Sequence, residues 1–183
     1  MKMLPIAVAA GDGIGAEIMR ACLHVLRSAK VPLEFRSVEM GKAVYLAGNS
    51  TGMTREAQST VEQLGILYKG PMETPKGGGV KSINVTARKV WNTYANKRTF
   101  NTIPGVETLF SRAGIPIDIT LIRENIEDTY GGIEHFQTHD VAQCRRLITR
   151  PGSLAVHRIA FETALQKVST PNLFPRKYSF HWV

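Results

Sequence analysis

The chain has 183 residues, 43% of them hydrophobic, enough for one domain with a core or for two small ones. No apolar run approaches the ~20 residues that cross a bilayer, which argues against a membrane role. The formal charge of +8 is scattered, and its densest clusters, Arg145-Arg146 and Arg176-Lys177, lack the interleaved aromatics of a single-strand binder, so no nucleic-acid partner is expected and acidic small molecules remain.

Leu4 to Ala9 is a short apolar run ending at glycines, the pattern of a buried strand. It starts so early that no N-terminal signal or transit peptide is expected. The sparse, distant Cys22 and Cys144 read as reduced thiols of a reducing compartment, cytoplasmic or mitochondrial, with a single disulfide left open. Ile14, Ile18, Ala21, Cys22, Val25, Leu26 and Ala29 recur at helical spacing and predict an amphipathic helix that Pro32 ends. Leu33 to Val38 is a second strand, and Gly41 to Ala47 a short helix stopped by Gly48. Thr54 is the expected N-cap of a helix that Gly65 closes, and Ile66 to Lys69 a short buried strand. This alternation predicts an α/β domain with a largely parallel sheet.

Residues 70–79 form a loop rich in Gly and Pro, and Ile83 to Tyr94 a helix with Ser82 at its start. Arg98 to Pro116 is a mixed connection with turns at Pro104-Gly105 and Gly114. Ile117 to Arg123 is a strong strand. Tyr130 to Phe136 and Val141 to Ile148 read as a strand pair, and Pro151-Gly152-Ser153 as the cap of a helix whose buried face is Val156, Ile159, Ala160, Thr163 and Ala164.

The densest chemistry lies in Ser82-Ile83-Asn84-Val85-Thr86-Ala87-Arg88, in Arg98, and in the run from Arg123 to Tyr130. Arginine's planar fork fits a carboxylate through two parallel bonds, so three arginines around one cavity suit a substrate with several carboxylates. With Gly11-Asp12-Gly13-Ile14-Gly15, Lys69-Gly70-Pro71-Met72-Glu73-Thr74-Pro75 and Tyr94-Ala95-Asn96-Lys97-Arg98, these segments resemble the isocitrate/isopropylmalate dehydrogenase family from Ile6 to about Lys167. Any one of them alone is weak, but five in order are specific.

The resemblance implies a truncated fold of that type: a three-layer sheet with helices plus part of a smaller domain. Residues 1–98 would be the first half of the large domain and 99–168 the first part of the small dimerisation and substrate domain. The tail 169–183 matches nothing in the family and reads as a truncated or frame-shifted end. The implied reaction is oxidative decarboxylation of isocitrate to 2-oxoglutarate, with NAD or NADP reduced and Mg2+ or Mn2+ polarising the reacting oxygen. The metal ligands and the lysine that partners Tyr130 would come from a C-terminal half, so the 183-residue chain alone is expected to be inactive. A homodimer of the full-length protein is implied, with the region from Tyr130 to Ile148 clasping the second subunit.

Residue by residue, Arg88, Arg98 and Arg123 match the substrate carboxylate arginines, against the ordinary reading of surface ion pairs. Ser82 and Asn84 stand where the isopropylmalate branch presents apolar residues, and their polar groups suit the extra carboxylate of isocitrate. Ser82 also suits a helix cap. Tyr130 matches the tyrosine that protonates the enolate, against an interfacial core tyrosine. Thr74 matches the contact to the nicotinamide ribose or amide, with Glu73 beside it and Ile14 packing near the cofactor. The glycines from Gly11 to Gly15 are not the dinucleotide fingerprint, because the third comes one residue too early, and read as a tight strand-to-helix turn. Glu134, His135 and His139 lack the helix and third ligand of a zinc site, so no metal ligand is assigned. The alternative functions are a dehydrogenase of isopropylmalate, homoisocitrate or tartrate, and a non-catalytic regulatory subunit or pseudoenzyme of the same family.

Overall fold

The computed structural model describes residues 2–73 and 82–168. They fall into two compact units that divide between Trp91 and Asn92.

The first unit is built on β1 (Leu4–Ala9), which lies between β2 (Leu33–Ser37) and β3 (Leu67–Lys69) in a parallel sheet of order β2-β1-β3. The central strand is apolar because both of its faces are covered. Ile6 and Val8 point to one side, where they meet Met19 and Leu23 of α1 (Gly15–Ser28). Ala7 and Ala9 point to the other, toward Ala57 and Val61 of α3 (Arg55–Leu64) and Ile83 and Ala87 of α4 (Ile83–Val90). The period-2 alternation of one strand thus separates three layers. A short α2 (Lys42–Leu46) follows Gly41.

The helix ends follow the residues that set them. Thr54 accepts a bond from the Ala57 N–H at 3.0 Å, and Gly65 closes α3 in the left-handed region, as its sequence requires. The helix after Ser82 ends at Val90 rather than Tyr94, because Asn92 turns the chain at φ 48°. The stripe predicted on α1 is not its core face: Met19 and Leu23, which lie outside it, pack on the sheet, whereas Ile14, Ile18 and Val25 are exposed and only Cys22 and Leu26 of the stripe are half-buried.

The second unit is antiparallel. β4 (Ala95–Asn101) pairs along its whole length with β5 (Asp118–Glu124), so the strand beyond α4 continues past Arg98, where the sequence reading drew its domain line. Thr108 and Ser111 form a reciprocal capping box on α5 (Leu109–Arg112), inside the stretch expected to be a mixed connection. β6 (Glu134–Thr138) and β7 (Val141–Cys144) form a hairpin exposed on both strands. α6 (Arg150–Val168) packs on β5 through the expected face, where Thr163 is buried, and Lys167 reaches Asp118 at 2.7 Å. Its cap is Thr149, whose hydroxyl accepts from Gly152 N–H, so Pro151 and Gly152 lie within the first turn. Cys22 and Cys144 are free thiols.

Ile83 is the largest fully buried side chain and sits between the two candidate substrate residues Ser82 and Asn84. Ile83→Ala is expected to cost about 2–5 kcal/mol in urea unfolding, and Ile14→Ala at its exposed position about 0.5 kcal/mol or less. Equal losses at the two positions would contradict this layering.

Candidate functional site

In the first unit the glycine turn and the start of the loop after β3 are held together. Asp12 N–H donates to the Pro71 carbonyl at 2.8 Å, and Gly15 N–H to the Asp12 carbonyl at 2.8 Å. Ile14 projects from this turn with 70% of its surface exposed. Glu73 N–H donates to Asp12 Oδ2 at 2.9 Å, and Glu73 Oε1 accepts from Lys42 Nζ at 3.0 Å. The two described cofactor candidates, Ile14 and Glu73, therefore belong to one hydrogen-bonded assembly. Thr74 lies outside the described residues, as do the loop residues that follow it and the tail 169–183.

Asn84, in the first turn of α4, is tied back to the sheet. Its Oδ1 accepts from Lys69 Nζ at 2.6 Å, and its Nδ2 donates to the Met72 carbonyl at 3.2 Å. Arg88 follows four residues later, on the same face of the helix. Burial lowers the Lys69 pKa below the ordinary lysine value, and the Arg88 charge lowers it further. Lys69, Asn84 and Arg88 thus form one cationic, hydrogen-bonding cluster. Ser82 makes no side-chain cap bond; its carbonyl alone accepts, from Thr86 N–H and Oγ1.

In the second unit, cross-strand register puts Arg98, Asn96 and Arg123 on one face of the β4–β5 ribbon, because Asn96 pairs with Arg123 and Arg98 with Leu121. That face also carries Phe100, Ile119 and Leu121 and is exposed, while α6 covers the face of Thr120 and Ile122. Arg98 Nε donates to Asn96 Oδ1 at 3.1 Å. Arg123 Nη2 donates to the Tyr130 hydroxyl at 2.6 Å and lies 5.7 Å from the ring centroid. Since guanidinium only donates, the tyrosine oxygen is the acceptor, and the phenolic proton is not spent on Arg123.

The polar residues between Arg123 and Tyr130 build the platform for the tyrosine. Glu124 accepts from the N–H groups of Ile126 and Glu127. Asn125 is buried and donates to the Thr93 carbonyl at 3.0 Å. Glu127 receives Thr149 N–H and the Thr149 hydroxyl at the start of α6. Asp128, at φ 62° and ψ −141°, is held by two backbone bonds with Leu147, and its carboxylate lies 2.7 Å from Arg146 Nε, off the hydrogen-bond axis. Such a conformation costs about 1–3 kcal/mol in a non-glycine residue and persists only where its surroundings enforce it. A 3-10 turn, Thr129–Gly131, then presents Tyr130.

The isocitrate/isopropylmalate dehydrogenase model matches residues 5–175. The chain belongs to that family. It is 46% identical over 159 residues to a protein named isocitrate dehydrogenase [NADP] from Thermus thermophilus, covering 87% of this chain and 32% of the relative. It is 39% identical over 154 residues to isocitrate dehydrogenase [NAD] subunit 2, mitochondrial, from Saccharomyces cerevisiae, covering 84% and 40%. Among solved structures, the TT0538 protein of Thermus thermophilus superposes with a TM-score of 0.79 at 44% identity, covering 88% of this chain and 32% of that one. The chain therefore spans about a third of the length of the Thermus relative and of the Thermus structure.

Sequence reasoning passed over Lys69, Lys42 and Asp12. Lys69 and Asp12 stood inside recognised segments, but their partners are distant in sequence. Asp12 and Glu73, for example, are 61 positions apart.

Lys69 is expected to titrate below the other lysines in NMR spectra of the methylated protein, and Arg88→Ala to raise it part of the way back. Between its lowered folded value and the unfolded one, the unfolded chain holds the proton and the folded chain does not. This residue's contribution to stability therefore rises with pH through that window and is complete above the unfolded value. A Lys69 signal that titrates with the surface lysines would contradict the cluster.

Proposed function

We propose that this chain forms the opening part of an NAD- or NADP-linked isocitrate dehydrogenase that converts isocitrate to 2-oxoglutarate. The observation that carries the reading is the polar, cationic start of α4: Lys69 bonded to Asn84, with Arg88 one turn on and the Ser82 hydroxyl not used as a cap. A polar, cationic wall of this kind suits a third carboxylate better than an isopropyl group, which offers the Ser82 hydroxyl no hydrogen-bond partner. The first unit then opens the larger domain, and the second supplies the first part of the smaller one.

The residues present fit a nicotinamide cofactor. Exposed Ile14 offers an apolar contact, and Glu73 offers acceptors for ribose hydroxyls beside it. When bound, the nicotinamide accepts hydride from the substrate carbon that bears the hydroxyl. Arg88 in the first unit, and Arg98 and Arg123 in the second, supply guanidinium groups that suit the carboxylates of the substrate. Tyr130, with its oxygen held by Arg123, gives its proton to the enolate carbon left after loss of CO2. Among the described residues no three His, Cys, Asp or Glu side chains converge. Mg2+ or Mn2+ thus belongs to this proposal only through ligands that these residues do not supply.

The exposed β6–β7 hairpin, with Phe136 77% exposed, supports association with a second copy. Among the described residues no helix is long and apolar enough to cross a membrane.

The longest product of the gene is expected to reduce NAD or NADP only when isocitrate is present. Arg98→Ala should lower its kcat/KM about 100-fold or more, as expected when one partner of a hydrogen-bonded charge pair is lost. Unaltered kinetics would remove Arg98 from the site. The purified 183-residue chain by itself is expected to show no turnover with isocitrate, Mg2+ and either cofactor. Turnover by it would refute the dependence on residues it lacks.

A further inference from the structure

Asp12 closes a ring that no catalytic role explains. Its two oxygens accept from the Lys42 N–H, each at 3.0 Å, and Oδ2 also accepts from the Glu73 N–H at 2.9 Å. Lys42 Nζ completes the ring at Glu73 Oε1, 3.0 Å away. Three segments that are far apart in sequence thus meet on one carboxylate: the turn after β1, the start of α2 and the loop after β3. The chain makes room for it at Gly41. There φ is +133°, and a Cβ would lie 2.6 Å from Asp12 Oδ1, so a side chain is barred both by conformation and by the carboxylate itself.

Glu73 is therefore fixed at both ends, its backbone by Asp12 and its side chain by Lys42. The second contact also answers the negative charge that Glu73 brings to this assembly. Lys42 neutralises it in place. Ile14 lies two residues beyond Asp12 in the same turn, so the carboxylate sets the spacing between both cofactor candidates.

We propose that Asp12 is a positioning residue for the nicotinamide cofactor, acting with Lys42 to hold Glu73 against the glycine turn. This rests on the dehydrogenase reading above. Loss of the latch loosens the cofactor side of the site and leaves the substrate arginines untouched.

The test uses the longest product of the gene, with Asp12→Asn, Gly41→Ala and Lys42→Met, steady-state kinetics and residue-resolved hydrogen exchange. Asp12→Asn is expected to raise the cofactor KM about 10-fold or more, the scale of a lost charge-assisted hydrogen bond, while the isocitrate KM stays put. Gly41→Ala, which disturbs the carboxylate without altering it, should do the same. Lys42→Met should raise the cofactor KM by a smaller factor, since its ion pair is half exposed. In the Asp12→Asn and Gly41→Ala proteins the Glu73 and Lys42 amides should exchange faster than in the parent. Unchanged exchange at both amides overturns the latch. So does a parallel rise in both KM values with a lowered melting temperature, which marks a merely structural residue. If the parent protein fails to reduce either cofactor with isocitrate, the dehydrogenase reading falls, and the exchange data alone decide whether the latch exists.

Discussion

The first unit depends on how closely the chain after β1 approaches the chain after β3. A side chain at Gly11 would collide with the Pro71 carbonyl, and one at Gly70 with the Ala10 carbonyl. Without those side chains the two backbones bond directly, Gly70 N–H to the Ala9 carbonyl at 2.9 Å and Asp12 N–H to the Pro71 carbonyl at 2.8 Å. This approach puts the Asp12 carboxylate within reach of Glu73. It also fixes the loop to which Asn84 is anchored through Met72. The glycines here act through close contact, as the tight strand-to-helix turn read from their spacing indicates.

Two different devices hold the candidate chemistry. In the first unit a half-buried lysine, an amide and an arginine are packed together; loss of hydration lowers the Lys69 pKa, and the nearby Arg88 charge lowers it further. In the second unit the candidate arginines stand on the open face of a ribbon, and acids hold the backbone between Arg123 and Tyr130: Glu124 bonds its own loop, and Glu127 the start of α6. These two carboxylates are thus structural here, and the strained Asp128 backbone, two residues before Tyr130, is held by its paired backbone bonds with Leu147.

Much of this was readable from the residues. Leu4 to Ala9, the Thr54 cap, the Gly65 stop and the existence of the β6–β7 pair follow from period and capping rules that act over a few residues, but β6 starts at Glu134 and not at Tyr130, which sits in a 3-10 turn, and β7 ends at Cys144 and not at Ile148. The family resemblance singled out the arginines and Tyr130 as candidates, and the structure puts Arg88 on α4, Arg98 and Arg123 on one face of the β4–β5 ribbon, and Tyr130 on the turn after it. What the sequence did not reveal depends on distance. Periodicity aligned Ile14, Ile18 and Val25 on one stripe of α1 but carries no information on whether anything covers them, and they are exposed. Ser82 has the chemistry of a cap, yet its hydroxyl makes no cap bond. The Lys69–Asn84 bond spans 15 positions and the Asp12–Glu73 bond 61, and no local pattern announces such pairs.

The central claim is that the start of α4 is built for a third carboxylate. Its most direct test is the ratio of kcat/KM for isocitrate to that for 3-isopropylmalate, measured on the longest product of the gene with NAD and with NADP. The account predicts a ratio on the order of 10⁴ or more in favour of isocitrate, the scale on which a hydrogen-bonding site rejects an apolar analogue. A ratio near one, or a preference for 3-isopropylmalate, would contradict it.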